Sequence, residues 1–252
     1  MADEITAAVI LIGNEILSGR TQDVNLSFLA GRLNELGIQV KEARIISDNE
    51  TEIVDAINLL RTRYDYIFTT GGIGPTHDDI TTDSVAKAFG VGLNYHPKVY
   101  PILKSYFEEN GYDANEARMR MARIPDTATL IDNSVSLAPG FQIENVFVLA
   151  GVPKIAQAMF DGASKRLRRG AKILSRSIRC HSGEGTVAEA LKALQMTFPD
   201  VDMGSYPWSE NGVYGTTLVL RSKDSSLLNS AYDLVFEMVA SLGGTPSDET
   251  SS

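Results

Sequence analysis

The chain has 252 residues, of which 43% are hydrophobic, and a formal net charge of −9. This composition allows a sizeable core and excludes a largely disordered chain. The acidic charge argues against a nucleic-acid partner. The apolar run at residues 7–12 is too short to cross a bilayer, and the acids of "MADEIT" do not suit a signal peptide. We therefore expect a cytoplasmic protein without a membrane partner, which the single cysteine, Cys180, also fits.

The first part of the chain alternates between strand and helix patterns. "ITAAVILIG" is a continuous apolar run that ends in glycine, as expected for a strand buried on both faces. "VNLSFLAGRLNELG" repeats leucine at helical spacing and ends at Gly37. This alternation predicts βαβ units and a parallel sheet covered on both faces. In chain order we predict a strand at 5–13, a helix at 24–37, a strand at 38–47, a helix at 50–63, a strand at 64–70, a helix at 83–90, two helices between 97 and 121, a hairpin region at 124–143, a strand at 145–151 and a helix at 153–167.

The pattern changes after Gly170. A strand–helix–strand–strand–helix order predicts a small α+β domain with antiparallel pairing. Its predicted elements are a strand at 172–180, a helix at 185–198, strands at 201–208 and 212–221, and a helix at 226–243. We place domain boundaries at 1–170 and 171–244, and we expect the polar segment 245–252 to be a disordered tail.

Unusual residues follow the predicted strands of the first domain. "GNEILSG" follows the first strand, Asp48 the second, "GGIGPTHDD" the third, and "GVP" at 151–153 the last. In open α/β sheets, ligands bind outside the carboxyl ends of the strands. We therefore predict that these four loops converge on one site.

The glycine-rich loop is the strongest candidate for phosphate binding. Gly71, Gly72 and Gly74 would let backbone N–H groups approach an anion, and nearby threonines add hydroxyl donors. The alternative is a plain turn between a strand and a helix.

The acids of the same loop favour the functional interpretation. One of Thr81, Thr82 or Asp83 would suffice to cap the next helix, which leaves Asp78 and Asp79 without an evident structural role. Carboxylates beside a phosphate commonly bind Mg²⁺, so we predict a divalent metal at this loop.

Several other polar residues have two interpretations. Glu15 could bind the metal, orient a water molecule, or be an ordinary helix-start acid. Asp48 could belong to the site or cap the next helix, and Asp23 and Asn25 could be caps as well. We interpret His77 as an exposed loop histidine in preference to a general base.

Two of these segments, "GNEILSGRTQDVN" and "TTGGIGPTHDDIT", together resemble motifs of the molybdopterin-binding-domain (MoaB/Mog-like) family, and specifically its CinA-like branch, the competence/damage-inducible protein A proteins. "LAGVP" matches a third motif of that branch. The resemblance covers residues 5–168, and residues 172–243 are similar to the small domain that follows in CinA proteins. We do not carry over the deamidase activity of longer CinA proteins.

The resemblance implies a three-layer αβα sandwich with a mostly parallel sheet, plus a smaller C-terminal α+β domain. In the CinA branch it implies metal-dependent hydrolysis of a nucleotide pyrophosphate such as ADP-ribose, whereas the related pterin enzymes transfer an adenylyl group to molybdopterin. Asp48 and Asp79 match the family's functional aspartates, and the three glycines match its phosphate binders. Asp78 stands where the pterin enzymes have a basic residue, which favours the CinA branch.

Our hypothesis is a Mg²⁺-dependent nucleotide pyrophosphatase that binds a nucleotide or pterin ligand and forms a homo-oligomer. The alternatives are a molybdopterin-binding enzyme of molybdenum cofactor biosynthesis and a non-catalytic nucleotide-binding module. Hydride transfer is disfavoured, because no G-x-G-x-x-G turn follows the first strand. The predicted catalytic residues are Asp48, Asp79 and Glu15, the metal ligands are Asp78 and Asp79, and the phosphate- or nucleotide-binding residues are Gly13, Asn25, Thr70, Gly71, Gly72, Gly74, Thr76, Thr81, Gly151 and Pro153.

Overall fold

The computed structural model describes residues 4–249. The chain divides into two compact units, with the division between Gly170 and Ala171. Among residues 4–249, no helix combines the length and the apolar character needed to cross a membrane.

A six-stranded sheet forms the centre of the first unit. Its strands, in chain order, are β1 (Ile5–Ile12), β2 (Ile38–Ile46), β3 (Tyr66–Thr70), β6 (Thr129–Ile131), β7 (Gly140–Ile143) and β8 (Val146–Leu149). They are arranged β2-β1-β3-β8-β7-β6. The pairings β1–β2, β1–β3 and β3–β8 are parallel, and β7–β8 and β6–β7 are antiparallel. The mostly parallel sheet and the hairpin region are therefore confirmed.

Helices cover both faces of this sheet. They are α1 (Asn14–Leu17), α2 (Asn25–Glu35), α3 (Glu50–Leu60), α4 (Thr81–Phe89) and α7 (Pro153–Ser164). The side chains of β1 point alternately to the two faces of the sheet and contribute to a hydrophobic core on each face. Val9 packs on one face with Leu29 of α2 and Phe160 of α7. Ile10 packs on the other face with Ile57 of α3. Burial on both faces explains the continuous apolar pattern of this strand.

An excursion between α4 and β6 carries its own small core. It contains β4 (Leu93–Tyr95), α5 (Val99–Glu109), α6 (Glu116–Met119), a 3₁₀ turn at Arg120–Ala122 and β5 (Arg123–Pro125). Strands β4 and β5 form an antiparallel pair that the sequence did not predict.

The second unit is a four-stranded antiparallel sheet with two helices. Its elements are β9 (Leu174–Cys180), α8 (Glu184–Thr197), β10 (Asp202–Glu210), β11 (Val213–Ser222), α9 (Ser225–Ser241) and β12 (Ser247–Glu249), with strand order β10-β11-β9-β12. The predicted disordered tail at 245–252 is wrong for Ser247–Glu249, because backbone pairing with β9 offsets its polar composition. Residues 250–252 of that tail lie outside the described residues.

Candidate functional site

A cavity of about 690 Å³ opens at the carboxyl ends of the parallel strands. Glu15 comes from the segment after β1, Asp48 from the loop after β2, Asp79 from the loop after β3, and Gly151 from the loop after β8, and all four line this cavity. The predicted convergence of the four loops is therefore confirmed. Further predicted site residues on the cavity wall are Gly71, Gly72, Gly74, Thr76, Asp78 and Pro153.

Main-chain atoms form the floor of the cavity. At Gly71, which has φ +102°, a Cβ atom would lie 2.1 Å from the carbonyl oxygen of Ile12. At Gly72, which has φ +67°, a Cβ atom would lie 2.1 Å from Oγ1 of Thr81. Both positions therefore require glycine for conformation and for space.

The three glycines differ in their hydrogen bonding. The Gly71 N–H donates to the carbonyl oxygen of Leu149 at 3.2 Å, so this group continues the sheet. Among the hydrogen bonds of residues 4–249, the N–H groups of Gly72 and Gly74 have no acceptor within the chain. Gly72 and Gly74 are therefore the donors that the floor offers to an anion.

The acid loop is internally bonded. Oδ2 of Asp79 accepts a hydrogen bond from the Thr76 N–H at 2.8 Å and another from the Thr76 hydroxyl. The expectation that Asp79 has no structural role is therefore wrong. Hydrogen bonds from the Thr76 hydroxyl and from its own N–H lower the pKa of Asp78. The Thr76 hydroxyl therefore lies beside both carboxylates.

Arg120 and Arg123 hold this loop from outside the cavity. Arg120 donates to the backbone carbonyl oxygens of Thr76 at 3.3 Å and Asp79 at 3.4 Å. Arg123 binds Asp83 through both terminal nitrogens, at 2.7 and 3.3 Å. Helix α4 begins after Ile80, which has no polar side-chain atom. The expected capping by Thr81, Thr82 or Asp83 is therefore wrong, because Asp83 pairs with arginine instead.

Asp48 connects two of the converging loops. Its Oδ2 atom accepts a hydrogen bond from the Asn14 N–H at 2.8 Å, whereas Asn49 caps α3 by accepting from the Thr51 and Glu52 N–H groups. The alternative that Asp48 caps α3 is therefore wrong, since the bond to Asn14 orients it towards the loop after β1.

Asp23 and Asn25 have separate roles. The Asp23 carboxylate accepts from the N–H groups of Asn25 and Leu26 at 3.2 and 2.9 Å, so it pairs two N–H groups of the first turn of α2 from the residue before the N-cap position, Val24. Asn25 is buried, and its side-chain amide donates to the carbonyl oxygen of Gly151 at 2.8 Å. This bond fixes the loop after β8 against α2.

Four residues predicted to bind ligand are not among those that line the cavity: Gly13, Asn25, Thr70 and Thr81. Thr70 and Thr81 are fully buried. A Cβ atom at Gly13 would lie 2.5 Å from the Glu15 carboxylate. These residues support the wall, and their predicted contact with ligand stays a prediction. His77 is exposed, as predicted for a loop histidine.

Sequence reasoning missed the apolar side of the cavity. Tyr106 and Phe107 of α5 line it, together with Met121 and Met159. These aromatic residues lie in the region 97–121, where two helices were predicted, but no motif connects them with the glycine-rich loop.

The acids of the cavity suit a hard cation that is shared with a ligand. Within residues 4–249, no group of three His, Cys, Asp or Glu side chains is close enough to hold a metal. Mg²⁺ usually takes one or two carboxylates and completes its shell with water and phosphate oxygens. Asp78 and Asp79 on the cavity wall fit that mode of binding.

The fold and the site define an α/β domain that binds a small molecule at the carboxyl edge of its sheet. Residues 8–169 match the family described as "Probable molybdopterin binding domain", and the chain belongs to this family. Residues 172–243 match the family described as "FAD synthase, middle domain".

Individual relatives agree with this assignment. A protein of Aeropyrum pernix is 32% identical over 267 aligned positions, which cover all of both chains. A "Probable FAD synthase" of Caenorhabditis elegans is 29% identical over 95% of this chain, which spans 51% of that protein's length. The crystal structure of the protein CinA with unknown function from Thermoplasma acidophilum is 34% identical, with a TM-score of 0.59, and the match covers 64% of this chain and 96% of that one. The resemblance to the CinA-like branch is therefore confirmed.

Proposed function

We propose that the first unit hydrolyses the phosphoanhydride bond of a dinucleotide pyrophosphate such as ADP-ribose, with Mg²⁺ or another divalent cation. The observation that carries the proposal is the arrangement of four acids around a main-chain floor in one cavity. The acids are Glu15, Asp48, Asp78 and Asp79. The volume of about 690 Å³ lies within the range of small-molecule sites.

Each group has a defined chemical task in this proposal. The N–H groups of Gly72 and Gly74 bind phosphate oxygens. Asp78 and Asp79 would hold the cation, which offsets negative charge on the pyrophosphate. Asp48 is oriented by the Asn14 N–H, and with Glu15 it orients a water molecule and accepts its proton. The water oxygen bonds to one phosphorus as the bridging P–O bond breaks, which gives two phosphate monoesters.

FAD is a second candidate substrate. It contains the same pyrophosphate linkage, and the C. elegans relative is described as a probable FAD synthase. The match of residues 172–243 to an FAD synthase middle domain also supports FAD as a candidate substrate. FAD therefore belongs beside ADP-ribose in the test.

Two other functions fit the family. Transfer of an adenylyl group to molybdopterin would use the same phosphate floor, and a non-catalytic module would bind nucleotide without turnover. Asp78 favours hydrolysis over the pterin reaction, because the resemblance gives the pterin enzymes a basic residue at that position.

Product analysis separates these functions. The purified protein is incubated with Mg²⁺ and, in separate reactions, with ADP-ribose, FAD, NADH, or molybdopterin plus ATP. We expect mononucleotide products from the dinucleotides and their loss when EDTA is added. Adenylylated molybdopterin as the sole product would support the pterin enzyme, and tight binding without products would support the non-catalytic module. Either result would overturn the proposed hydrolysis.

A further inference from the structure

We infer that Tyr106 and Phe107 form an aromatic wall that recognises the planar ring of a nucleotide whose pyrophosphate lies on the glycine floor. The inference rests on the proposed function and names the part of the substrate that determines selectivity. The cavity combines two kinds of surface. Acids and backbone groups line the cavity, and Tyr106, Phe107, Met121 and Met159 supply apolar surface to the same cavity.

The two aromatic rings are held in a defined arrangement. Tyr106 and Phe107 are consecutive residues of α5, their ring centroids are 5.6 Å apart, and their planes meet at 62°. Phe107 also packs against the small core of the excursion and lies 5.8 Å from the Arg118 guanidinium. Phe107 is therefore fixed by its surroundings, and it supports the ring of Tyr106 from one edge.

Tyr106 is not needed by the core. Within residues 4–249, the hydrophobic clusters include Phe107 but not Tyr106. Tyr106 is half-buried, and among the aromatic residues of positions 4–249 its ring contacts that of Phe107. A half-buried aromatic ring that lines a cavity without filling a core is available to a ligand.

The chemistry of the wall selects one part of a dinucleotide. Its two rings carry π faces and no charge, so the Tyr106 hydroxyl, which Tyr106→Phe removes, is the one group of the wall that could bind a phosphate oxygen. A planar heterocycle stacks on such a surface whatever its hydrogen-bonding edge, because every base has a π face. Adenine and the flavin ring share this chemistry. The wall therefore accounts for binding of the ring, and the glycine floor accounts for binding of the phosphates.

The test compares a ligand that has a ring with one that has none. Binding of ADP and of inorganic pyrophosphate, each with Mg²⁺, is measured by calorimetry. We expect Tyr106→Leu, which keeps an apolar side chain but removes the ring, to weaken ADP binding about tenfold, or about 1.4 kcal/mol. Pyrophosphate should bind within about twofold of wild type. Tyr106→Phe should restore ADP binding, and Tyr214→Leu, an exposed tyrosine of the second unit, is the matched control.

The outcomes distinguish the inference from the proposed function. Unchanged ADP binding in Tyr106→Leu, or an equal loss for ADP and pyrophosphate, overturns the aromatic wall and leaves the proposed hydrolysis standing. Failure of the wild-type protein to bind either ligand overturns both. Replacing ADP by AMP and by FMN then shows which ring depends on Tyr106, because the preferred ring shows the larger loss.

Discussion

At the scale of single residues, Asp79 combines two tasks in one carboxylate. Both hydrogen bonds from Thr76 go to Oδ2, so Oδ1 is the oxygen that remains for a ligand or cation. The carboxylate also occupies the space that a side chain at position 74 would need, since a Cβ atom there would lie 2.6 Å from Oδ2. Loop geometry and the proposed chemistry therefore depend on the same group.

The substitution Asp79→Asn separates these two tasks. The amide oxygen can still accept the Thr76 N–H, but the charge that would offset a cation is gone. We expect turnover of the preferred dinucleotide to fall at least ~100-fold, about 2.7 kcal/mol in barrier, with a smaller effect on binding. The free energy of unfolding should fall by only about 1 kcal/mol, because charge-assisted bonds become neutral ones. Hydrolysis rates and urea unfolding measure the two effects.

Two other aspartates serve as controls for that experiment. Asp83→Asn weakens the pair with Arg123 and should lower stability while turnover stays within about threefold of wild type. Asp55→Asn, on the exposed face of α3, should change neither quantity. A wild-type rate in Asp79→Asn together with reduced stability would mean that Asp79 is structural.

At the scale of elements, the excursion holds the acid loop in place. The loop before helix α4 receives hydrogen-bond donors from the excursion. Arg120, in the 3₁₀ turn, supplies them by donating to Thr76 and Asp79. The same excursion carries the aromatic wall on α5. One inserted segment therefore positions both the loop that bears the acids and the proposed ring-binding surface.

A second element-level feature joins the starts of β1 and β3. Asp65 accepts hydrogen bonds from the Thr6 N–H at 2.9 Å and hydroxyl at 3.0 Å, and it pairs with Arg168 at 2.8 Å. Burial alone would raise the pKa of Asp65, but the bonds from Thr6 and the charge of Arg168 outweigh it, so the pKa is lowered. The folded state therefore favours the ionised carboxylate.

This lowered pKa predicts a specific pH dependence. A carboxylate whose pKa is lower in the folded state contributes its full stabilisation of the fold at pH values above its unfolded pKa, which is near 4. That contribution is lost as the pH falls through the folded pKa. Asp65→Asn should lower the free energy of unfolding by about 1 kcal/mol at pH 7. Its difference from wild type should shrink below about pH 4. Urea titrations at pH 7, 5 and 3 test this, and a constant difference across them would contradict it.

At the scale of the whole molecule, the sheet topology and the position of the site were predictable from the sequence, but individual hydrogen-bond partners were not. Strand β1 must be apolar at every position to be buried on both faces, and the loops at its edge follow from parallel topology. The choice between Asp48 and Asn49 as the α3 cap was not predictable, because the bond from Asn14, distant in sequence, decides it. The aromatic wall lies on a helix whose pattern specifies only a small core, and β12 depends on pairing with β9.

The division into two units predicts how function is distributed. Every residue that lines the cavity belongs to the first unit. The second unit has its own core, which includes Ile178, Leu218 and Val235. We expect residues 1–170 expressed alone to retain hydrolysis within about threefold of the full chain, a difference of less than 1 kcal/mol in barrier. The endpoint keeps Gly170, whose N–H donates to Leu36. Loss of activity from a fragment that still unfolds cooperatively would assign the second unit a part in catalysis.

The main-chain floor also limits how this protein can diversify. Gly71 packs against the Ile12 carbonyl, and a Cβ atom at Gly151 would lie 3.2 Å from the Gly71 Cα atom, so three strand ends meet as bare backbone. Replacing either glycine by a residue with a side chain would disrupt the packing of the sheet, whatever its effect on ligand preference. Mutations that change substrate preference without loss of folding are therefore confined to the walls. The evolutionary freedom of the site lies in α5, where ring chemistry can change while the phosphate-binding floor is inherited unaltered.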